Sequence, residues 1–257
     1  MSGFLFEQII FGPIKSRRLG ISLGVNLLPT VRKHCTFNCI YCECGWTQTH
    51  EIEKGFPVAT QIKEALEEKL AAMKKKDSLL DSITFAGNGE PTIHPEFPQI
   101  VDFTIELRDK YYPDAMVSVL TNASKASDPS IAMALLKTDQ PILKLDAGRD
   151  ETFQSINNPG IDVSLAQILS SLEAFKGKAI IQTLFVKGLH KGRVIDNSTD
   201  EEVNAWLEHL KKIEPRLVMI YPIARSTPEE TLEKVPFERL MEIARKVEAL
   251  GFEAEVY

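Results

Sequence analysis

Short apolar runs rich in β-branched residues alternate with amphipathic stretches along almost the whole chain. Strand-type runs are predicted at residues 23–27, 83–85, 116–120, 141–145, 179–186 and 217–221, with a short one at 252–256. Helical periodicity falls between them, at 59–75, 96–110, 128–136, 163–175, 200–213 and 236–249. Six strand–helix units in succession predict an α/β fold with a parallel sheet. Right-handed crossovers curl such a sheet into an open or closed barrel. No linker, low-complexity run or shift in composition interrupts the rhythm, so one domain is expected overall. Residues 1–34 form an N-terminal arm that leads into the first barrel strand, and residues 35–257 carry the barrel.

The length of 257 residues is enough for a sizeable core. A 44% hydrophobic and 26% charged composition excludes a disordered tail, a collagen and a disulfide scaffold. No apolar stretch reaches the roughly 18 residues of a membrane span, and the start, Met1-Ser2-Gly3-Phe4, lacks the pattern of a secretory leader. A cytoplasmic chain with reduced thiols is therefore expected. With 30 basic and 36 acidic residues the net charge is 30 − 36 = −6, which excludes a bulk nucleic-acid coat. The arm runs against that trend, with Lys15, Arg17, Arg18, Arg32 and Lys33 against the single acid Glu7.

All four cysteines, Cys35, Cys39, Cys42 and Cys44, fall within ten residues. Crowded thiols in a reducing compartment point to a metal or cluster, because thiolates are soft ligands. The spacing C-x3-C-x2-C holds three corners of a cubic 4Fe–4S cluster and leaves the fourth iron open, whereas an electron-carrying ferredoxin closes its cluster with four thiolates. A four-thiolate zinc site competes for the same residues, although zinc usually pairs C-x2-C with a second, distant pair of ligands.

The run Cys35-Thr36-Phe37-Asn38-Cys39-Ile40-Tyr41-Cys42, with an aromatic residue before the last cysteine, resembles the signature of the radical S-adenosylmethionine (radical SAM) superfamily. Phe11-Gly12-Pro13, Ser16-Arg17-Arg18-Leu19-Gly20, Leu23-Gly24-Val25-Asn26 and the stretch from Cys35 to Trp46 resemble a small subfamily similar in its core to tRNA wyosine-base synthases. The resemblance extends over nearly the whole chain. It implies a partial (β/α)6 TIM-like barrel, a 4Fe–4S cluster on Cys35, Cys39 and Cys42, and SAM on the open iron. The implied reaction is reductive cleavage of SAM to a 5′-deoxyadenosyl radical that abstracts hydrogen from a substrate. A reductant such as flavodoxin or ferredoxin and a substrate that includes tRNA as an option follow from the same resemblance. Cys44 is either a bystander or an accessory thiol.

The strand ends supply the other candidates, because barrel strands end at the active-site face. Gly87-Asn88-Gly89-Glu90 resembles the superfamily's glycine-rich motif, whose carbonyls and carboxylate would receive the SAM amino group. A plain βα turn is the competing reading. Tyr41 would lie against the adenine, and Phe37 would shield the cluster. Ser118 and Asn122 would meet the ribose hydroxyls, unless Asn122 merely starts a turn and Ser124 or Asp128 caps the next helix. Lys144 and Asp146 share one face of their strand by alternation. Lys144 would neutralise the SAM carboxylate, and Asp146 would serve catalysis or contact substrate. Asp150 is read as a helix N-cap. Gln182 or Thr183 would touch cofactor or substrate, and backbone at Tyr221 would pair with the adenine edge. Arg225 would bind an anionic substrate group, with Arg17 and Arg18 closing the mouth from the arm. An iron–sulfur electron carrier and a zinc-stabilised binding module remain the alternatives without SAM chemistry.

Overall fold

A computed structural model describes residues 3–47 and 55–257; Met1 and Ser2, part of the stretch examined for a leader, lie outside the described residues. The predicted rhythm becomes ten strands and seven helices among those residues. A hairpin of β1 (Ile10–Ser16) and β2 (Gly20–Val25) comes first. There follow α1 (Ala59–Lys75), β3 (Ser82–Phe85), α2 (Phe97–Tyr111), β4 (Met116–Thr121), α3 (Pro129–Lys137) and β5 (Gln140–Lys144). Next come α4 (Asp150–Ile156), α5 (Leu165–Glu173), β6 (Ile180–His190), β7 (Arg193–Asp196), α6 (Asp200–Ile213) and β8 (Leu217–Pro222). The last three are β9 (Leu232–Lys234), α7 (Phe237–Glu248) and β10 (Ala254–Val256).

The sheet runs β1-β2-β3-β4-β5-β6-β8-β10, and every pair from β2 to β10 is parallel. It is an open partial barrel. The arm is less separate than its sequence suggests. Its residues 20–25 are the first parallel strand, and β1 covers that strand's outer edge in antiparallel pairing. Beyond the barrel, β6 runs on to His190 and pairs there with β7 and β9.

Alternation along the strands gives the sheet two different faces. Leu23, Val25, Ile83, Phe85, Val117, Val119, Ile181 and Ile220 face outward into the main core with the helices. α1 meets them with Ile62, Leu66, Leu70 and Met73, and α6 with Val203, Trp206, Leu210 and Ile213, in the spacing of an amphipathic stripe. Fully burying one such aliphatic side chain contributes about 1.5–3 kcal/mol. The concave face differs. Its lower end holds a small apolar cluster of Leu19, Ile142, Ile180 and Met219 beside a ladder of hydroxyls. Its upper end, at the carboxyl ends of the strands, is polar and hollow.

Helix starts follow local chemistry. Asp128 caps α3, accepting from the Ser130 N–H at 2.8 Å, and Ser164 and Thr199 cap α5 and α6. The expected cap at Asp150 is corrected: the N-cap of α4 is Arg149, and the Asp150 carboxylate instead accepts from the Leu165 N–H at 2.6 Å. One residue further into the helix, that carboxylate reaches the start of α5.

Candidate active site

The loop between β2 and α1 carries the cysteines across the carboxyl ends of the strands. His34 fixes its start to the glycine turn after β3: the His34 N–H donates to the Asn88 carbonyl at 2.7 Å and the Glu90 N–H to the His34 carbonyl at 3.0 Å. Gly89 permits this approach, since a Cβ there would come within 1.7 Å of the His34 carbonyl oxygen. At Gly87 a Cβ would meet the Asn26 side chain at 2.3 Å.

Between loop and strand ends lies a cavity of about 300 Å³. The sulfurs of Cys35, Cys39, Cys42 and Cys44 border it on one side. Gly87, Gly89, Glu90 and Asn122 border a second side, and Tyr41, Lys144, Gln182 and Tyr221 a third. Lys144 and Gln182 are direct register partners, as are Leu184 and Tyr221, so parallel pairing sets them side by side. Gln182 and Leu184 are therefore the residues of their strand that face the cavity. Thr183 points the other way and donates to the Leu145 carbonyl at 2.7 Å.

Burial raises the pKa of the Cys35 and Cys39 thiols, whereas a hydrogen bond from Cys44 favours the Cys42 thiolate. Lys33, which the sequence showed only as one of the arm's cations, is buried just behind them. Burial opposes its charge, but Cys42, Cys35 and Cys39 outweigh that cost and hold the ammonium above its ordinary value. It donates to the Gly45 carbonyl at 2.9 Å. N–H groups also aim at sulfur: Phe37 N and Asn122 Nδ2 at Cys35 Sγ, at 3.4 and 3.6 Å, and Asn157 Nδ2 at Cys39 Sγ, at 3.6 Å. Three soft thiols, a buried cation and sulfur-directed N–H groups fit an iron–sulfur cluster, whose potential such contacts tune. Among the described residues no three His, Cys, Asp or Glu side chains converge as one metal ion requires. The three thiols of a cubane bind different irons and stand apart.

Glu90 is buried and occupied. Its Oε1 accepts from Thr92 N, Thr92 Oγ1 and Thr121 Oγ1, and its Oε2 accepts from Asn122 N at 2.6 Å. Burial raises its pKa against the pull of these bonds. Oε2 keeps acceptor capacity toward the cavity. Asn122 starts a turn, its Oδ1 accepting from the Ser124 N–H at 2.9 Å, and it also borders the cavity.

Four expected site residues do not border this cavity. Asn88 does not line the cavity; its side chain points backward, donating to the Phe6 and Pro29 carbonyls and accepting from the Phe6 N–H at 2.8 Å. Ser118 is on the concave face, as alternation requires, but too low. It belongs to the ladder that joins Ser82, at 2.9 Å, and Gln140, at 2.8 Å. Asp146 lies behind the cavity wall. Its Oδ2 accepts from Tyr41 Oη and from Asn157 Nδ2, stands 3.5 Å from Lys144 Nζ, and its Oδ1 accepts from the Leu184 N–H. It positions Tyr41 and Lys144 and has no open face. Arg225 is at the outer rim, exposed and paired with Glu43 at 2.6 Å.

The buried Asp146 sets the charge state around it. Burial and the Asp146 charge push the Tyr41 phenol well above its ordinary pKa. Burial works against the Lys144 ammonium, but Asp146 outweighs it and keeps the lysine charged. Lys144 Nζ lies 5.2 Å from the Tyr41 ring centre. Arg18 stacks 4.5 Å from the Tyr221 ring and donates to Gln182 Oε1 at 3.1 Å. Asn157 had no signal in the sequence beyond a turn-like Asn157-Asn158-Pro159-Gly160.

Residues 31–191 match the family model described as the radical SAM superfamily. The chain belongs to that superfamily. It is a SAM-dependent iron–sulfur enzyme, and its cofactors are a 4Fe–4S cluster and SAM. It is 30% identical over 242 residues to a protein named GTPase Obg from Brachyspira hyodysenteriae, of which it spans only a third (33%) while 92% of this chain is matched. It is 29% identical to a UPF0026 protein of Methanocaldococcus jannaschii, over 91% of this chain and 70% of that protein. Among solved structures, a radical SAM methyltransferase from Sphaerobacter thermophilus shares the fold with a TM-score of 0.64 at 14% identity, over 92% of this chain and 65% of that one. Archaeal TYW1 matches with a TM-score of 0.53 at 13% identity, over 89% and 71%. No described helix of this radical SAM protein is long and apolar enough to cross a membrane.

Proposed function

We propose that Cys35, Cys39 and Cys42 hold the cluster and that the rest of the same cavity holds SAM over it. One observation carries this reading: the triad, the glycine turn with Glu90, and the Lys144, Gln182 and Tyr221 side chains all border one cavity of about 300 Å³. When bound, the cluster supplies one electron to SAM, whose S–C5′ bond breaks to give methionine and a 5′-deoxyadenosyl radical that takes a hydrogen atom from the substrate.

The residues of this chain bind, orient and exclude water. Glu90 Oε2 and the backbone at residues 87 and 89 receive the amino group of SAM, and Lys144 pairs with its carboxylate. Asp146 holds Lys144 and Tyr41 in place from behind. Phe37, packed 5.5 Å from Phe153, and the buried Tyr41 keep solvent from the sulfurs. The substrate carries an anionic group, because Arg17 and Arg18 stand at the opening with no carboxylate partner among the described residues. The reductant is a flavodoxin or ferredoxin, and the setting is the cytoplasm. RNA is a second substrate reading, favoured by the same arginines; its binding would fall steeply with salt.

The test is anaerobic reconstitution with iron and sulfide. Cys35→Ala, Cys39→Ala and Cys42→Ala should each lose bound iron, sulfide and SAM cleavage, while Cys44→Ala keeps the cluster. Equal iron loss in Cys44→Ala would show a four-thiolate site and overturn the reading.

A further inference from the structure

A second cavity, of about 290 Å³, lies between the β1–β2 hairpin and the concave face of the sheet. Arg18, Glu43, Ala86 and Leu120 border both it and the first cavity, so the two share a wall. Its floor carries the hydroxyls of Ser22 and Thr84, 2.7 Å apart. One side is aromatic. Phe6 stacks on Phe11 with ring centres 3.7 Å apart, and the Phe11 ring lies flat on the backbone of Gly24. A Cβ at Gly24 would come within 2.0 Å of that ring, so the glycine makes this wall possible.

The opposite side is cationic. Lys15, near the end of β1, and Arg17, in the turn that follows, both line the cavity and form no ion pair among the described residues. Arg18 adds a third charge; its guanidinium donates to Gln182 Oε1 and lies over the Tyr221 ring, with no carboxylate ion pair among the described residues. The one acid in the lining, Glu43, is already taken by Arg225, a fourth cation that lines the same cavity. Three cations without a carboxylate stand out in a chain whose net charge is −6. They repel one another until an anion arrives.

We propose that this second cavity is the substrate chamber, and that it takes a small molecule with a flat apolar ring and an anionic group, phosphate or carboxylate. The inference rests on the first cavity being the SAM site, since the shared wall is what sets the ligand beside the reacting carbon. With Phe11 held between Phe6 and the Gly24 backbone, the stacked pair offers its ring edges, and an aromatic ligand meets them in a T-shaped contact. Guanidinium groups match the planar or tetrahedral oxygens of such anions. The volume of about 290 Å³ stands just under the usual range for small-molecule sites, about 300–1,000 Å³, and suits a small ligand.

The test uses the reconstituted holoenzyme with SAM bound and three probes, 1-naphthyl phosphate, 1-naphthol and inorganic phosphate, followed by calorimetry. Naphthyl phosphate should bind at least roughly tenfold more tightly than either part alone. Lys15→Gln combined with Arg17→Gln should weaken it by about tenfold or more, as expected for lost charge-assisted bonds, and leave naphthol unchanged. Phe11→Leu should weaken both ring-bearing probes and leave phosphate unchanged. SAM affinity, measured in the same samples, should not move in the double variant. Displacement of the probe by SAM would place it in the first cavity and overturn the inference. So would equal binding to wild type and double variant. Binding of a short RNA that the double variant loses, with no binding of naphthyl phosphate, would assign the cations to a polymer and overturn it too. Normal SAM binding alongside any of these failures leaves the first cavity's assignment standing; failure of SAM itself to bind the wild type overturns that assignment instead.

Discussion

The Glu90 carboxylate receives four hydrogen bonds from Thr92, Thr121 and Asn122, and it also borders the cavity. Its removal therefore has two separable effects. In Glu90→Ala, loss of a charge-assisted bond to the SAM amino group should cost about 1.5–3 kcal/mol, or roughly ten- to 150-fold in affinity. The same change strands buried donors and should lower the melting temperature. Glu90→Gln keeps the shape and one acceptor but turns an amide NH2 on one of the donors, so it should fall between wild type and Glu90→Ala on both measures. Calorimetry with SAM, beside a thermal melt, checks this; full SAM affinity in a folded Glu90→Ala would remove Glu90 from the cofactor site. Asp146 contrasts with Glu90. Every direction its carboxylate faces is filled by Tyr41, Asn157, Lys144 or the Leu184 N–H, so its contribution is orientation.

The turn after β3 joins two elements through Asn88, whose side-chain amide pairs with both the N–H and the carbonyl of Phe6. Asn88→Ala should release the Phe6 backbone from the turn after β3, a loss of about 1–3 kcal/mol for the unpaired groups. Faster hydrogen exchange at the Phe6 amide would report it, and unchanged protection would refute it. This tie was invisible in the sequence, where Asn88 reads as one more residue of a glycine turn. The main elements were legible because each has a strong period: α1 and α6 keep an apolar stripe over several turns, and β4 and β5 are bounded by turn residues. The β1 strand was not. A register shift between Phe11 and Ile14 breaks its alternation, and its partners are supplied only by β2. β7 and β9 are four and three residues long and exist by pairing with the extension of β6. Alternation also grouped Lys144 with Asp146 and separated Gln182 from Thr183, but it told neither which face lines the cavity nor how deep along the barrel each residue sits. Ser118 shares a face with the cavity residues and still lies below them. Lys33 went unread for a related reason, since a basic residue two positions before a cysteine has no periodic signature and its burial is decided by the loop's tertiary course.

Across the whole chain the net charge is −6, yet the second cavity gathers Lys15, Arg17 and Arg18, a local cationic patch that favours anions. Elsewhere charges serve packing. Asp200, in the first turn of α6, pairs with Arg239 and Lys246 of α7, at 2.9 and 2.8 Å. Hydrogen bonds from Lys246 and Arg239 lower its pKa from 3.8 to about 2. A depressed carboxylate stabilises the fold above its unfolded pKa and loses that effect as pH falls through the folded value. Asp200→Asn should thus melt lower than wild type near neutrality, and the gap should close as pH drops from about 4 to about 2. A gap independent of pH over that interval would refute the ion-pair account. The sheet, finally, starts at β1 and stops at β10, and among the described residues no ladder joins the two. The girth of a closed barrel is set by its number of strands and their stagger. Here the hoop is unclosed, so its bore can widen at the seam without breaking a single rung, and guests of different breadth can be admitted by the same set of strands.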